Sequence, residues 1–376
     1  LIDRQRIIEE FIELCTISSP GGGERQIADR LTATLTQMGF QVEEDDAGTK
    51  IPGNAGNLYG RLEGNGSDGA VFFSAHMDTV VPCDKVTPVV RNGAIYSDGT
   101  SILGADDKAG IVAILEALRV LLATGEKRPT IEVIFSVQEE GGLKGAKVFD
   151  IGRLQSKMGY VLDASGEPGT IITSAPFQNH VEAVLYGRTA HAGICPEEGV
   201  SAIKIASRAV HRMRLGRIDK ETTANIGTIN GGSATNIVPE RVVITGEARS
   251  LREEKLEEQT RHMVECFQQA AKDLGGGAEV TVNQVYPGFI LTEKDPVVAL
   301  AVKAAQNLGF TPQLVPIGGG SDANIYNGAG LPTANLAIAM EKVHTKEEFI
   351  TIDDLERNSR YVIEIIRQFA KKPSLS

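Results

Sequence analysis

The chain has 376 residues, with 38 Lys+Arg against 49 Asp+Glu, a formal charge of −11 and a pI near 5.2. That surplus of negative charge excludes nucleic acid and an anionic membrane surface as the main partner, because contacts to phosphate need cationic surface. With 41% hydrophobic and 23% charged residues the chain reads as soluble and globular, and its length exceeds what one core usually supports, so two domains are expected.

In chain order, Ile7, Ile8, Phe11 and Ile12 fall at helical spacing. The charged start, LIDRQRIIEEFIELC, lacks an apolar stretch of the signal-peptide kind, and no apolar run is long enough to span a bilayer. After the break Pro20–Gly23, a second helix is expected through Ala28, Leu31, Leu35 and Met38. Strand-like runs at Asn57–Leu62 and Ala70–Ala75 flank the turn GNGSDG. That turn matches GxGxxG at Gly64, Gly66 and Gly69, but it lies between two strands, as a hairpin loop would, rather than opening a helix. The pattern then alternates: a helix over Asp106–Ala123, strands at Thr130–Val137, Met158–Leu162 and Thr333–Ile338, and a helix over Leu355–Phe369. Strands separated by helices predict an α/β fold with a mostly parallel sheet covered on both faces.

The middle differs. Strands are expected at His180–Tyr186, Ala224–Ile229, Arg241–Ala248 and Glu279–Val285, with helices over Val200–Met213 and Glu253–Leu274. That β-α-β-β-α-β order is ferredoxin-like. It predicts an inserted α+β domain at 176–286 within a discontinuous domain made of 1–175 and 287–376. Cys15, Cys83, Cys195 and Cys266 form no CxxC pair, which fits reduced thiols and a cytoplasmic protein.

Acidic residues and histidines gather at the ends of strands. His76 and Asp78 follow VFFSA, and Asp106 and Asp107 open a helix in GADDKAG. Glu139 and Glu140 follow TIEVIFSVQ, Asp163 ends GYVLD, and His344 comes after TANLAIA and a short loop. Open α/β sheets bind ligands at the carboxyl ends of their strands. Five carboxylates in one cleft (Asp78, Asp106, Glu139, Glu140, Asp163) would repel, and Lys108 is the one obvious cation nearby. Divalent cations resolve the conflict, and two His with several carboxylates suit zinc, with manganese or cobalt as alternatives. Taken singly, each piece has an ordinary explanation: an N-cap for the aspartates, a solvated face for Glu139–Glu140, a loop residue for His344. Their shared location at strand ends carries the argument. Adjacent Glu139 and Glu140 point apart in extended chain, so one can hold metal while the other reaches water; the residues alone leave open which does which.

These segments resemble the M20 metallopeptidases, in particular the peptidase T-like branch. The stretches are HMDTV at 76–80, GADDKAG at 104–110, QEEGG at 138–142, VLDASG at 161–166, TAHAG at 189–193, GGSDAN at 319–324 and HTKEE at 344–348. The resemblance implies a zinc-peptidase catalytic domain with an inserted lid and dimerisation domain. It implies two zinc ions per subunit bridged by Asp106, one also held by His76 and Asp163, the other by Glu140 and His344. Glu139 would be the general base on a metal-bridging water, Asp78 the carboxylate that orients His76, and the Asp106–Asp107 bond cis. His191 would reach the active site of the partner subunit in a homodimer, and Asn236 and Arg249 would contact a short peptide substrate, Arg249 through a bidentate grip on a carboxylate. One departure is visible: Gly318 stands where the tripeptidases of this branch carry an arginine before the GG of GGSDAN. The expected activity is hydrolysis of the amide at the N-terminus of short peptides. Deacylation of N-acyl amino acids is the alternative, a non-catalytic metal-binding module a further one. A dinuclear phosphoesterase is disfavoured by the lack of cationic clamps, and a serine hydrolase by the lack of a GxSxG elbow.

Overall fold

The strand Ala70–His76, sequence AVFFSAH, is buried along its whole length. A run apolar on both faces belongs in the middle of a sheet covered on both sides. The computed structural model describes residues 1–371 and puts it there. The order is Gln41–Glu44, Leu58–Leu62, Thr130–Ser136, Ala70–His76, Gly159–Ala164, Thr333–Ala337, Thr170–Ala175. The four strands from Thr130–Ser136 to Thr333–Ala337 are mutually parallel, and pairing on either margin is antiparallel. Alternate residues of the central strand serve opposite faces. Phe73 stacks on Tyr160 in the main core, which also holds Ile111, Val112 and Leu115 of the helix Ala105–Thr124. On the other face Phe72 meets Tyr326 of the helix Asp322–Gly328 edge-on. The fold class read from the sequence holds: α/β, with a sheet parallel at its centre.

The hairpin expected around GNGSDG is not formed. Leu58–Leu62 and Ala70–His76 are not neighbours, because Thr130–Ser136 lies between them, antiparallel to the first and parallel to the second. The turn therefore links two strands across a third.

The chain divides into two units. One comprises Leu1–Thr173, Leu291–Ile317 and the chain from Ser321 onward; the other comprises Ser174–Ile290 with Gly318–Gly320. The second unit has its own antiparallel sheet, ordered Gly216–Arg217, Thr222–Gly231, Arg241–Ser250, Phe177–Tyr186, Gly277–Tyr286. Arg241–Ser250 buries every second residue. Its inner face and that of Phe177–Tyr186 (Val242, Ile244, Val181, Leu185) pack with Ile205 of the helix Ala202–Arg212 and Met263 and Phe267 of the helix Glu253–Leu274. This is the ferredoxin-like arrangement.

Candidate metal centre and active site

Parallel neighbours share a direction, so the four central strands deliver their C-terminal residues to one rim. His76 is the last residue of its strand and Asp163 the penultimate residue of Gly159–Ala164. Glu139 and Glu140 follow Thr130–Ser136 after a short turn, and His344 follows Thr333–Ala337. Asp106 and Asp107 sit at the head of Ala105–Thr124, with non-helical backbone angles and a cis peptide bond between them.

Asp106 faces two imidazoles. Its Oδ1 is 3.0 Å from His76 Nε2, and its Oδ2 is 3.3 Å from His344 Nε2. His76 Nε2 also lies 3.8 Å from Asp163 Oδ1, while His344 Nε2 lies 3.0 Å from Glu140 Oε1. Two His–carboxylate clusters thus share one aspartate. Ligand-type atoms of His76, Asp106 and Glu140 lie within 4.8 Å of one another, as do those of His76, Asp107 and Asp163. Asp107 is the lesser candidate, because its oxygens already accept N–H groups, from His76 at 3.1 Å and from Gly110 at 3.2 Å. It braces the strand end against the helix.

Asp78 does something the sequence did not reveal. His76 Nδ1 bonds to the main-chain carbonyl of Asp78 at 2.8 Å, nearer than its carboxylate at 3.5 Å. The carboxylate instead accepts the N–H of Glu139 at 2.8 Å and that of Glu140 at 3.1 Å. One buried residue thus holds both a strand-end imidazole and the two glutamates.

The charges conflict in the way five crowded carboxylates must. Burial pushes the Asp163 carboxyl well above its ordinary range, and the charges of Asp106 and Glu139 add to it. Burial does the same to Glu139, helped by Asp322, Glu140 and Asp78 and opposed by His76. Asp106 goes the other way: burial resists its charge, but hydrogen bonds from His344 and His76 hold it below the usual carboxylate range. Burial also resists charge on His76, yet Asp106 and Asp78 raise its pKa, and hydrogen bonds to Asp106 and Glu140 raise that of His344 to about 10. Burial of Asp163 and Glu139, and pairing of His76 and His344 with carboxylates, all raise proton affinity at this rim. Two imidazoles and several carboxylates form a donor set that divalent cations fit, and Glu139 is left as a carboxylic group outside both clusters.

Residues that sequence reasoning left without a role complete the rim. Asn335 accepts the Asp163 N–H at 3.0 Å and donates to its carbonyl at 2.9 Å. Asp322 of GGSDAN is buried, accepts from Ser136 Oγ at 2.5 Å, and its carboxyl is pushed up by burial to about 6. Glu348 accepts three backbone N–H groups, those of Leu103, Gly104 and Asp106. Lys108, the cation noted in the sequence, is buried and donates to the Ile17 carbonyl at 2.8 Å.

The other candidates lie in the second unit. His191 and Asn236 are on adjacent exposed segments, joined by the Ala192 N–H to the Asn236 carbonyl at 2.9 Å. The guanidinium of Arg249, expected to grip a substrate carboxylate, is already paired with Glu247, Nε to Oε1 at 2.9 Å and Nη2 to Oε2 at 3.0 Å. Its Nη1 reaches the Tyr286 hydroxyl and the Gly318 carbonyl, each at 3.3 Å.

Comparison with known proteins agrees with this chemistry. Residues 72–368 match the model of Peptidase family M20/M25/M40. An uncharacterised protein of Bacillus subtilis, YqjE, is 47% identical over 371 residues, covering 99% of this chain and 100% of its own. The crystal structure of aminopeptidase PepT from Bacillus cereus is 47% identical with a TM-score of 0.92, over 98% of this chain and 100% of that one. A tripeptidase from Staphylococcus aureus is 43% identical with a TM-score of 0.96, over 99% and 100%. A family match over most of the chain, and relatives this close over their full length, make the chain a metallopeptidase belonging to Peptidase family M20/M25/M40, on its peptidase T-like branch.

Proposed function

We propose that this enzyme removes the N-terminal residue of short peptides with two zinc ions. His76, Asp106 and Asp163 would hold one, and His344, Asp106 and Glu140 the other. The observation that carries this reading is Asp106 turning one oxygen to His76 and the other to His344. Bound divalent ions supply Lewis acidity toward the scissile carbonyl, acidify water and neutralise the crowded carboxylates. Manganese or cobalt would serve the same donors.

Glu139 is the general base in this scheme. It takes a proton from the attacking water as the water oxygen bonds to the carbonyl carbon. It returns that proton to the leaving amine as the C–N bond breaks, giving a free amino acid and a shortened peptide. A carboxyl whose proton affinity is raised by burial suits both steps. Asp78 holds the Glu139 and Glu140 amides in place. His191 would donate to the developing oxyanion from the partner subunit of a homodimer formed through the lid domain, and Asn236 and Arg249 would contact substrate. Arg249 would use its Nη1 edge, which meets the Tyr286 hydroxyl and the Gly318 carbonyl rather than Glu247. Sedimentation showing monomer alone at assay concentration would oppose the trans role of His191. Four free cysteines support a cytoplasmic setting, and among the described residues no helix is long and apolar enough to cross a membrane.

The test is a tripeptide assayed beside its N-acetyl form. The proposal expects the free peptide to be cleaved and the acetylated one resisted. Faster cleavage of the acetylated compound would replace the aminopeptidase reading.

A further inference from the structure

The helix Ala105–Thr124 begins without a side-chain cap, because its N-cap residue is Gly104, at φ 81°. Helix starts leave N–H groups that need acceptors. Here the acceptor comes from far along the chain. Glu348, 1% exposed, takes the N–H groups of Leu103 and Gly104 on Oε2, both at 2.8 Å, and that of Asp106 on Oε1 at 3.1 Å. Among the described residues it forms no close ion pair with Lys or Arg, and its direct partners are these amides.

The same carboxylate belongs to the loop that carries His344. That loop is closed at its base by Glu341 and Phe349, bonded in both directions at 3.0 and 3.1 Å. The Glu348 N–H turns back to the Thr345 carbonyl at 3.2 Å, and His344 itself stands at φ 64°, in the left-handed region. Asp106, with φ −82° and ψ 102°, is held out of the helix geometry at the point where its N–H meets Glu348.

We propose that Glu348 is a positioning residue: by binding the main chain of the shared aspartate from within the His344 loop, it sets those two ligands relative to each other. The inference rests on the metal reading above. It makes a selective claim. The ion held by His344, Asp106 and Glu140 depends on both segments that Glu348 joins, whereas the ion held by His76, Asp106 and Asp163 depends on one of them.

The experiment uses metal-stripped full-length protein titrated with cobalt(II), whose absorbance and chelator competition resolve two ions. Glu348→Gln keeps the shape of the side chain but replaces one acceptor oxygen with an N–H₂ facing amide donors. The expected result is a folded protein in which the ion held by His344, Asp106 and Glu140 loses about 10–100-fold in affinity, the usual effect of removing a partner behind a metal ligand. The ion held by His76, Asp106 and Asp163 changes less, and turnover recovers in excess metal with KM unchanged. A purely structural role would lower the melting temperature without separating the two affinities. If Glu348→Gln does not fold, Glu348→Asp is titrated in the same way and should show a smaller loss at the same ion. Wild-type affinity for both ions in either folded variant overturns the proposal. Wild-type protein that takes up no cobalt would overturn the metal reading itself, and this inference with it.

Discussion

Replacing Asp78 with Ala separates two ways in which this residue could serve the site. If its carboxylate mainly orients His76, removal should loosen the ion on His76, Asp106 and Asp163. The geometry argues otherwise, since His76 Nδ1 bonds at 2.8 Å to the Asp78 carbonyl, which every substitution retains. What Ala removes is the acceptor for the Glu139 and Glu140 amides, at 2.8 and 3.1 Å. Each charge-assisted bond of this kind contributes about 1.5–3 kcal/mol, so two represent about 3–6 kcal/mol shared between stability and placement of the glutamates. The expected outcome is a less stable protein that keeps the His76 ion, binds the Glu140 ion more weakly and loses about 10²-fold or more in kcat. Melting temperature, metal content by mass spectrometry after graded chelation, and kcat together read these outcomes. A variant that loses the His76 ion first while keeping the Glu140 ion would refute the reasoning.

Further outcomes follow from the same geometry. Glu139→Gln removes the base but no ligand, so it should retain both ions and lose at least about 10²–10⁴ in kcat; full activity would exclude Glu139 as the base. The metal-free protein should become less stable as pH rises from about 5 to 9. Asp163 and Glu139 have folded pKa values raised by burial, so the stability of their protonated forms is lost as pH climbs from their unfolded values, about 4, through the folded ones. The His344 pKa is raised to about 10 and that of His76 is raised also, so their contribution is present below the unfolded value and fades in the same direction. Asp106, with a lowered pKa, acts oppositely but only at pH below about 4, outside this window. Zinc-loaded protein should reverse the slope, because metal binding needs deprotonated ligands. Melting scans with chelator and with zinc test this, and a metal-free melting temperature that rises with pH would contradict it.

Much of the candidate site could be read from the sequence because its chemistry is conspicuous: His76, Asp106, Glu140, Asp163 and His344 are ionisable groups placed where apolar strands end. Period-2 and period-3.6 patterns also located most long elements, including the helix Glu253–Leu274. What stayed hidden was set by tertiary pairing. Nothing in Leu58–Leu62 or Ala70–His76 announces that Thr130–Ser136 will lie between them. Glu348 reads as half of an acidic pair in HTKEE, and the uncapped Gly104 it serves is 244 residues away. The division of labour within Asp78, carbonyl to His76 and carboxylate to the glutamates, is a matter of atoms rather than residue types. The helix Pro296–Asn307 carried a start signal in Asp295–Pro296 that could have located it. The strands Val89–Arg91 and Ala94–Tyr96 are too short for periodicity to register.

The central claim is that paired cations make this crowded acidic rim tolerable. Crystals of zinc-loaded protein, with diffraction recorded on either side of the zinc absorption edge, test it most directly. The account predicts two anomalous peaks about 3.5–4 Å apart with Asp106 between them, His76 and Asp163 around one and Glu140 and His344 around the other. A map with no peak there, or with both peaks away from Asp106, would contradict it.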